Sequence, residues 1–213
     1  MNLIGLLGGI ASGKSLVANY LMQKGAALLD ADPIGHEVLK QQAVKDVARS
    51  RWGDKIFDNR GEIHRPALAA IVFAPDASGA QELLFLEQLT HPRIGAMLEL
   101  QIEQLRQRAE IQAIVLDAPV MLKAGWNGFC DKIVFVESSE PLRRMRAAAR
   151  GWSQEEFDRR EAAQESLDFK RRLADVVIDN SAGVAETYAQ VDQVWPLLIS
   201  TVDLPPTPQI SPQ

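Results

Sequence analysis

Only one cysteine, Cys130, occurs in the 213 residues. A lone thiol forms no internal disulfide and makes no zinc cluster, so the fold rests on an apolar core and suits a reducing compartment. Aromatic residues are scarce at 6%, and the four tryptophans (Trp52, Trp126, Trp152, Trp195) are scattered without forming a stripe. No apolar run approaches the ~18 residues of a membrane span. Positive charge is not in excess either. With a formal net charge of −5, the broad basic footprint of a nucleic-acid binder is missing. Neither nucleic acid nor membrane is an expected partner. The chain opens on an apolar run with no basic region before it, so the expectation is a cytoplasmic protein without a cleaved leader. The balance of 46% hydrophobic and 24% charged residues is that of an ordinary globular protein. The length fits one α/β domain with insertions.

Glycine is concentrated near the start. The apolar run Leu3-Ile4-Gly5-Leu6-Leu7 feeds into Gly8-Gly9-Ile10-Ala11-Ser12-Gly13-Lys14-Ser15, which is G-x-x-x-x-G-K-S between a strand-like and a helix-like segment. That is a phosphate-binding loop. Its glycines let the backbone fold back so that successive N–H groups face the phosphates. Lys14 reaches for the β- and γ-phosphates, and the Ser15 hydroxyl completes a Mg²⁺ shell. The helix beginning near Ser15 aims its positive end at the same place. Gly8, Gly9, Ala11, Ser12, Gly13, Lys14, Ser15 and Leu16 are therefore the candidate nucleotide-binding residues. No Asn-Lys-x-Asp run for reading guanine is present, which favours ATP over GTP.

Apolar runs at Asn2–Leu7, Ala26–Leu29, Ile111–Leu116 and Lys132–Val136, with a shorter one at Val176–Ile178, read as parallel strands buried on both faces. Helical patterns alternate with them at Ser15–Lys24, Ile34–Lys40, Val44–Trp52, Pro66–Val72, Gln81–Leu89, Pro92–Arg108, Pro141–Arg150, Gln154–Leu173 and Val184–Leu198. Alternation of this kind predicts a doubly wound α/β fold, here a five-stranded parallel P-loop kinase core. The core is expected over 1–32, 109–142 and 174–200, with a helical substrate-binding insertion over 33–108 and a helical lid over 143–173. Residues 201–213, rich in proline, read as a disordered tail.

Several residues outside the loop carry chemistry. Asp30 and Asp32 follow the second strand in Leu29-Asp30-Ala31-Asp32-Pro33, and on an extended chain both face one side. A carboxylate there accepts a hydroxyl proton from an acceptor or holds a metal-bound water. The competing reading makes Asp32 the N-cap of a helix opening at Pro33. Arg143, Arg144, Arg146 and Arg150 crowd eight residues. Arg143, Arg146 and Arg150 fall at helical spacing, on one face able to meet phosphates. The alternative is a solvated face balanced by Glu155, Glu156 and Asp158. Ile111 to Leu116 ends on Asp117, a weaker candidate for holding Mg²⁺ through water. His91 precedes Pro92 and reads either as a substrate contact or as a residue held extended by that proline.

Together these pieces resemble the dephospho-coenzyme A kinase family. Residues 5–15 are close to its G-L-T-G-G-I-G-S-G-K-S opening, and Asp30-Ala31-Asp32 matches its D-A-D. Arg65, Leu68 and Ile71-Val72-Phe73 follow. Leu86-Glu87-Gln88-Leu89-Thr90-His91-Pro92-Arg93-Ile94 is similar to L-E-x-I-x-H-P-x-I, and residues 174–180 to A-D-x-V-I-x-N. The resemblance implies transfer of the γ-phosphate of ATP, with Mg²⁺, to the ribose 3′-hydroxyl of dephospho-coenzyme A. Asp32 is then the base or orienter, Lys14 and the loop backbone hold ATP, and Arg146 and Arg150 are lid arginines. Arg65 and His91 lie on the coenzyme side.

Departures from the pattern are Lys123 for a glutamate, His64 in place of the aspartate of L-D-R, Trp52 for a phenylalanine, and Arg143 for a lid glutamine. Leu16 stands for a threonine. Ala11 stands for a loop glycine, which is tolerable with a negative φ. Another P-loop small-molecule kinase, or a non-catalytic ATP-binding regulatory protein, shares the loop. The second has no need of Asp32 or the lid arginines.

Overall fold

A computed structural model describes residues 1–200, and the predicted tail lies outside the described residues. In chain order the elements are β1 (Asn2–Gly8), α1 (Lys14–Gln23), β2 (Ala26–Asp30), α2 (Ala31–Lys40), α3 (Gln42–Trp52), α4 (Arg65–Val72), α5 (Ala77–Arg106), β3 (Ala113–Asp117), β4 (Lys132–Glu137), α6 (Glu140–Ala148), α7 (Gln154–Ala162), α8 (Leu167–Arg172), β5 (Val176–Asp179) and α9 (Val184–Ile199). They gather into two compact units: Met1–Leu29 with the chain from Ile102 onward, and Asp30–Gln101. Among the described residues no helix is long and apolar enough to cross a membrane.

In the first unit the strands form one five-stranded parallel sheet in the order β2-β3-β1-β4-β5. The predicted doubly wound α/β core is what forms. β1 lies at the centre with all seven of its residues buried, which its apolar run from Leu3 to Leu7 suits. It pairs in parallel with β3 on one side (Leu6 opposite Asp117) and with β4 on the other (Gly8 opposite Val136). Helices α1 and α9 cover one cluster, where Val17, Leu21, Trp195 and Leu198 pack on Ile4, Leu6 and Val134. Each such aliphatic side chain contributes about 1.5–3 kcal/mol by burial.

The second unit is helical. Ala48, Trp52, Ile56, Leu68 and Val72 form its buried cluster, bordered by Phe57, Phe85 and Leu86. The two helices predicted either side of Pro92 are here one, α5, with the proline inside it. A proline removes one N–H and pushes on the preceding turn. The helix continues through it because Leu89, Ile94 and Leu98 keep one face buried on both sides of the proline, with the Thr90 hydroxyl donating to the Leu86 carbonyl (2.8 Å) and Arg93 Nη1 to that of Leu89 (2.6 Å) in the neighbouring turns. Conversely, the single helix predicted over Gln154–Leu173 is two. α7 ends at Ala162, and Ser166 caps α8 by accepting from the Phe169 N–H (3.2 Å). A serine offered that bond prefers the cap to the helix interior.

Candidate active site

β1 delivers the phosphate loop to the carboxyl edge of the sheet, where the chain leaving β1 crosses toward β2 on one side and the chain leaving its neighbour β4 crosses toward β5 on the other. In open α/β sheets that divergence is where ligands bind. The loop tightens through a bond from the Ser12 N–H to the Gly9 carbonyl (3.2 Å). It ends at Gly13, whose φ of 97° is left-handed, and α1 starts at Lys14 with no side chain capping it. The first-turn N–H groups therefore face outward toward an anion. Lys14 and Leu16 are half-buried and Ser15 is exposed.

The loop is shaped for phosphate. A Cβ on Gly8 would lie 2.5 Å from Ser12 Oγ and 2.9 Å from the Val136 carbonyl, so only glycine leaves the cradle open. Ser12 Oγ is itself buried without a hydrogen-bond partner, an orphan polar atom inside an anion-binding loop. Ala11 corrects the expectation of negative φ. Its φ is 57°, left-handed, a conformation that costs an alanine roughly 1–2 kcal/mol. Its methyl packs with Ala147 and Phe157, which offsets part of that strain.

The arginine cluster does not act as one face. Arg144 is tied to Glu140 (2.7 Å) and Asp158 (2.6 Å). Arg143 is buried, paired with Glu161, with its Nε unpartnered. Arg146 turns to the loop, donating to the Ser12 carbonyl (3.2 Å), the Ser138 hydroxyl (3.1 Å) and the Asn180 carbonyl (3.0 Å). Arg150 lies beyond the end of α6, exposed, because the helix stops at Ala148 and the chain turns at Gly151. The predicted shared face thus holds for Arg143 and Arg146 but not for Arg150.

Two loop neighbours escaped the sequence reading as functional residues. Asn180, buried at the end of β5, donates from Nδ2 to the Ser12 carbonyl (2.8 Å) and accepts from the Thr187 hydroxyl (2.9 Å). Its place at the carboxyl end of a strand, one residue past β5 as Asp117 is the last of β3, is the available signal. Lys170 is 3% exposed, with Nζ 2.6 Å from Gln164 Oε1 and 3.5 Å from the Gly8 carbonyl. Burial pushes its ammonium down to about 8, and Lys14 pushes the same way. No sequence signal marked it, since Lys170-Arg171-Arg172 reads as a solvated run.

The extended reading of Asp30 and Asp32 is corrected. The helix begins at Ala31, and Asp30, not Asp32, is the N-cap, its carboxylate accepting from the Asp32 N–H (2.9 Å). Asp32 is exposed in the first turn, where a carboxylate is favoured by the helix dipole. Asp117 is the half-buried last residue of β3. Arg65, exposed at the start of α4, borders two clefts of its own unit. One, of about 540 Å³, is lined by His36, Lys40 and Glu62; the other, of about 590 Å³, by Leu68, Val72, Phe73 and Leu86. His91 is helical rather than extended, half-buried within α5, and lines neither cleft.

Comparison with known proteins places this geometry. The family model for dephospho-CoA kinase matches residues 2–186. A dephospho-CoA kinase of Symbiobacterium thermophilum is 39% identical over 197 residues, covering 92% of this chain and 80% of the relative. The crystal structure of TT1252 from Thermus thermophilus, 28% identical, superposes with a TM-score of 0.77 over 93% of this chain and 98% of that one. The dephospho-CoA kinase of Campylobacter jejuni, 22% identical, shares the fold with a TM-score of 0.62 over 92% and 97%. By family model and by relatives alike, the chain belongs to the dephospho-CoA kinase family.

Proposed function

We propose that this protein transfers the γ-phosphoryl group of ATP to the ribose 3′-hydroxyl of dephospho-coenzyme A, giving coenzyme A and ADP in the cytoplasm. The observation that carries the donor half is the phosphate loop itself, with Gly13 left-handed, α1 uncapped at Lys14 and an orphan hydroxyl at Ser12. Phosphoryl transfer asks little covalent chemistry of a protein; positioning and electrostatic stabilisation do most of it. The loop backbone binds the triphosphate and Lys14 neutralises its outer charges. Ser15 and Asp117 fit Mg²⁺, a hard cation content with one hydroxyl, one carboxylate and substrate oxygens. When bound, the ion neutralises charge shared between the β- and γ-phosphates.

Asp32 is the proposed base or orienter for the acceptor hydroxyl, and its support is the D-A-D run together with its exposure in the first turn of α2. The insertion over 33–108 is assigned the acceptor, with Arg65 and His91 on the coenzyme side, and 143–173 is assigned the lid. Arg146 acts there through the loop it braces, and Arg150 is the exposed lid cation free to meet phosphate. The test is direct: protein, ATP·Mg²⁺ and dephospho-coenzyme A, scored for coenzyme A and ADP. Asp32→Asn is expected to lower kcat by about 10²-fold or more, the scale of lost general-base catalysis, with ATP affinity retained. Absence of coenzyme A from folded, ATP-binding protein overturns the reading; an unchanged Asp32→Asn rate removes Asp32 from it.

A further inference from the structure

The outer edge of the phosphate loop carries a regularity of its own. Three alternate carbonyls each face a donor from the segment between β4 and β5. Lys170 Nζ lies 3.5 Å from the Gly8 carbonyl, Arg143 Nη1 3.5 Å from that of Ile10, and Arg146 Nη1 3.2 Å from that of Ser12. Asn180 adds a second donor at Ser12 (2.8 Å). In a trans peptide the carbonyl and the following N–H point in opposite directions. Drawing the carbonyls of residues 8, 10 and 12 outward therefore turns the N–H groups of Gly9, Ala11 and Gly13 toward the concave side. The loop's donor array is set from behind.

Of these donors Lys170 is the one without an evident stabilising reason to be there. It is buried, its closest acceptor is the neutral Gln164 amide, and the groups facing it are mixed: Lys14 from α1 and Arg143 from α6 repel it, while Glu161 of α7 and Glu165 of the turn before α8 attract it. A buried ammonium beside two cations is unfavourable in the empty protein, and becomes favourable when polyanionic phosphate arrives.

We propose that Lys170 is a positioning residue for ATP, holding the Gly8 carbonyl outward from α8 and adding its charge behind the loop, so that triphosphate affinity depends on a residue of the lid segment. This rests on the ATP-binding reading above. The test is calorimetric titration of the full chain with ATP·Mg²⁺, which needs no acceptor and no turnover. Lys170→Met is expected to bind ATP about 10- to 100-fold more weakly, the scale of a lost charge-assisted hydrogen bond, and Lys170→Arg to restore part of that loss. Wild-type affinity should fall as pH rises through about 8, where the free ammonium loses its proton, and the fall should be absent from Lys170→Met. Gln164→Glu, which leaves Lys170 in place, should move the fall upward by about one pH unit, because an opposite charge favours the protonated form. Lys170→Met binding within twofold of wild type, a fall that persists in that variant, or an unmoved fall in Gln164→Glu overturns the assignment. Wild-type protein that does not bind ATP overturns the function proposed above along with it.

Discussion

In the phosphate loop, the carbonyls of Gly8, Ile10 and Ser12 are met by Lys170, Arg143 and Arg146, side chains brought from 162, 133 and 134 positions away. In the Asp30–Gln101 unit, an apolar cluster around Trp52, Ile56 and Leu68 does the holding, and charged groups stay at its rim. There Arg51 pairs with Glu82 (2.8 Å) and lies 4.9 Å from the Phe85 ring, and Arg49 lies 4.0 Å from that of Phe57. The first region is a polar network around one backbone shape. The second is a small core whose interactions do not prescribe a ligand. Damage to the network should therefore appear first in nucleotide affinity, and damage to the core first in stability.

Leu68→Ala is the largest expected effect. Leu68 is 3% exposed in the centre of the helical cluster, and truncating such a leucine costs about 2–5 kcal/mol through lost transfer energy and a residual cavity. Denaturant unfolding measures it. ATP affinity of the folded protein should stay within about twofold. A matching collapse in affinity would break the division between the two regions.

Gly13→Ala comes next. At φ 97° the alanine costs roughly 1–2 kcal/mol of backbone strain, and its Cβ would overlap the Asn180 side-chain amide, displacing a donor from the Ser12 carbonyl. The modest stability loss should accompany a loss of ATP affinity of about tenfold or more, the scale of one disrupted hydrogen bond to charge. Here affinity falls along with stability, each by a similar free energy, unlike Leu68→Ala, where stability alone falls. Equal affinity in folded Gly13→Ala would show that the loop tolerates another shape.

How much of this was legible in the sequence follows the same division. The loop and the five strands were readable because their signals are local: a spaced glycine-lysine motif, and runs apolar on both faces. The bracing of the loop was not. Lys170 sits in a run that looks solvated, and only the fold brings it beneath Gly8. The join across Pro92 was hidden for a related reason, since the burial of Leu89, Ile94 and Leu98 that carries α5 past the proline is set by the fold and not by the local residue types. The Asp30-Ala31-Asp32 run is plain in the sequence, but its geometry is not. An aspartate that ends a strand can also cap the next helix, and the capping bond to the Asp32 N–H leaves no extended residue between the two.

The smallest effect is expected at Ala11, and it shows why a loop so tightly specified accepts an alanine at a left-handed position. Replacing Ala11 by glycine relieves roughly 1–2 kcal/mol of strain. The same change removes a buried methyl from contact with Ala147 and Phe157, a loss of about 0.8 kcal/mol. It also gives the unfolded chain freedom worth about 0.4–1 kcal/mol. These terms nearly cancel, so Ala11→Gly should unfold within about 1 kcal/mol of wild type. The methyl's neighbours belong to α6 and α7, so the cancellation depends on those two helices lying against the loop. Phe157→Ala removes most of the methyl's packing while keeping its strain, and in that background Ala11→Gly should become measurably stabilising. A double-mutant cycle in unfolding free energy reads the difference. Strict additivity of the two substitutions would mean that Ala11 is tolerated for a reason other than its contact with Phe157.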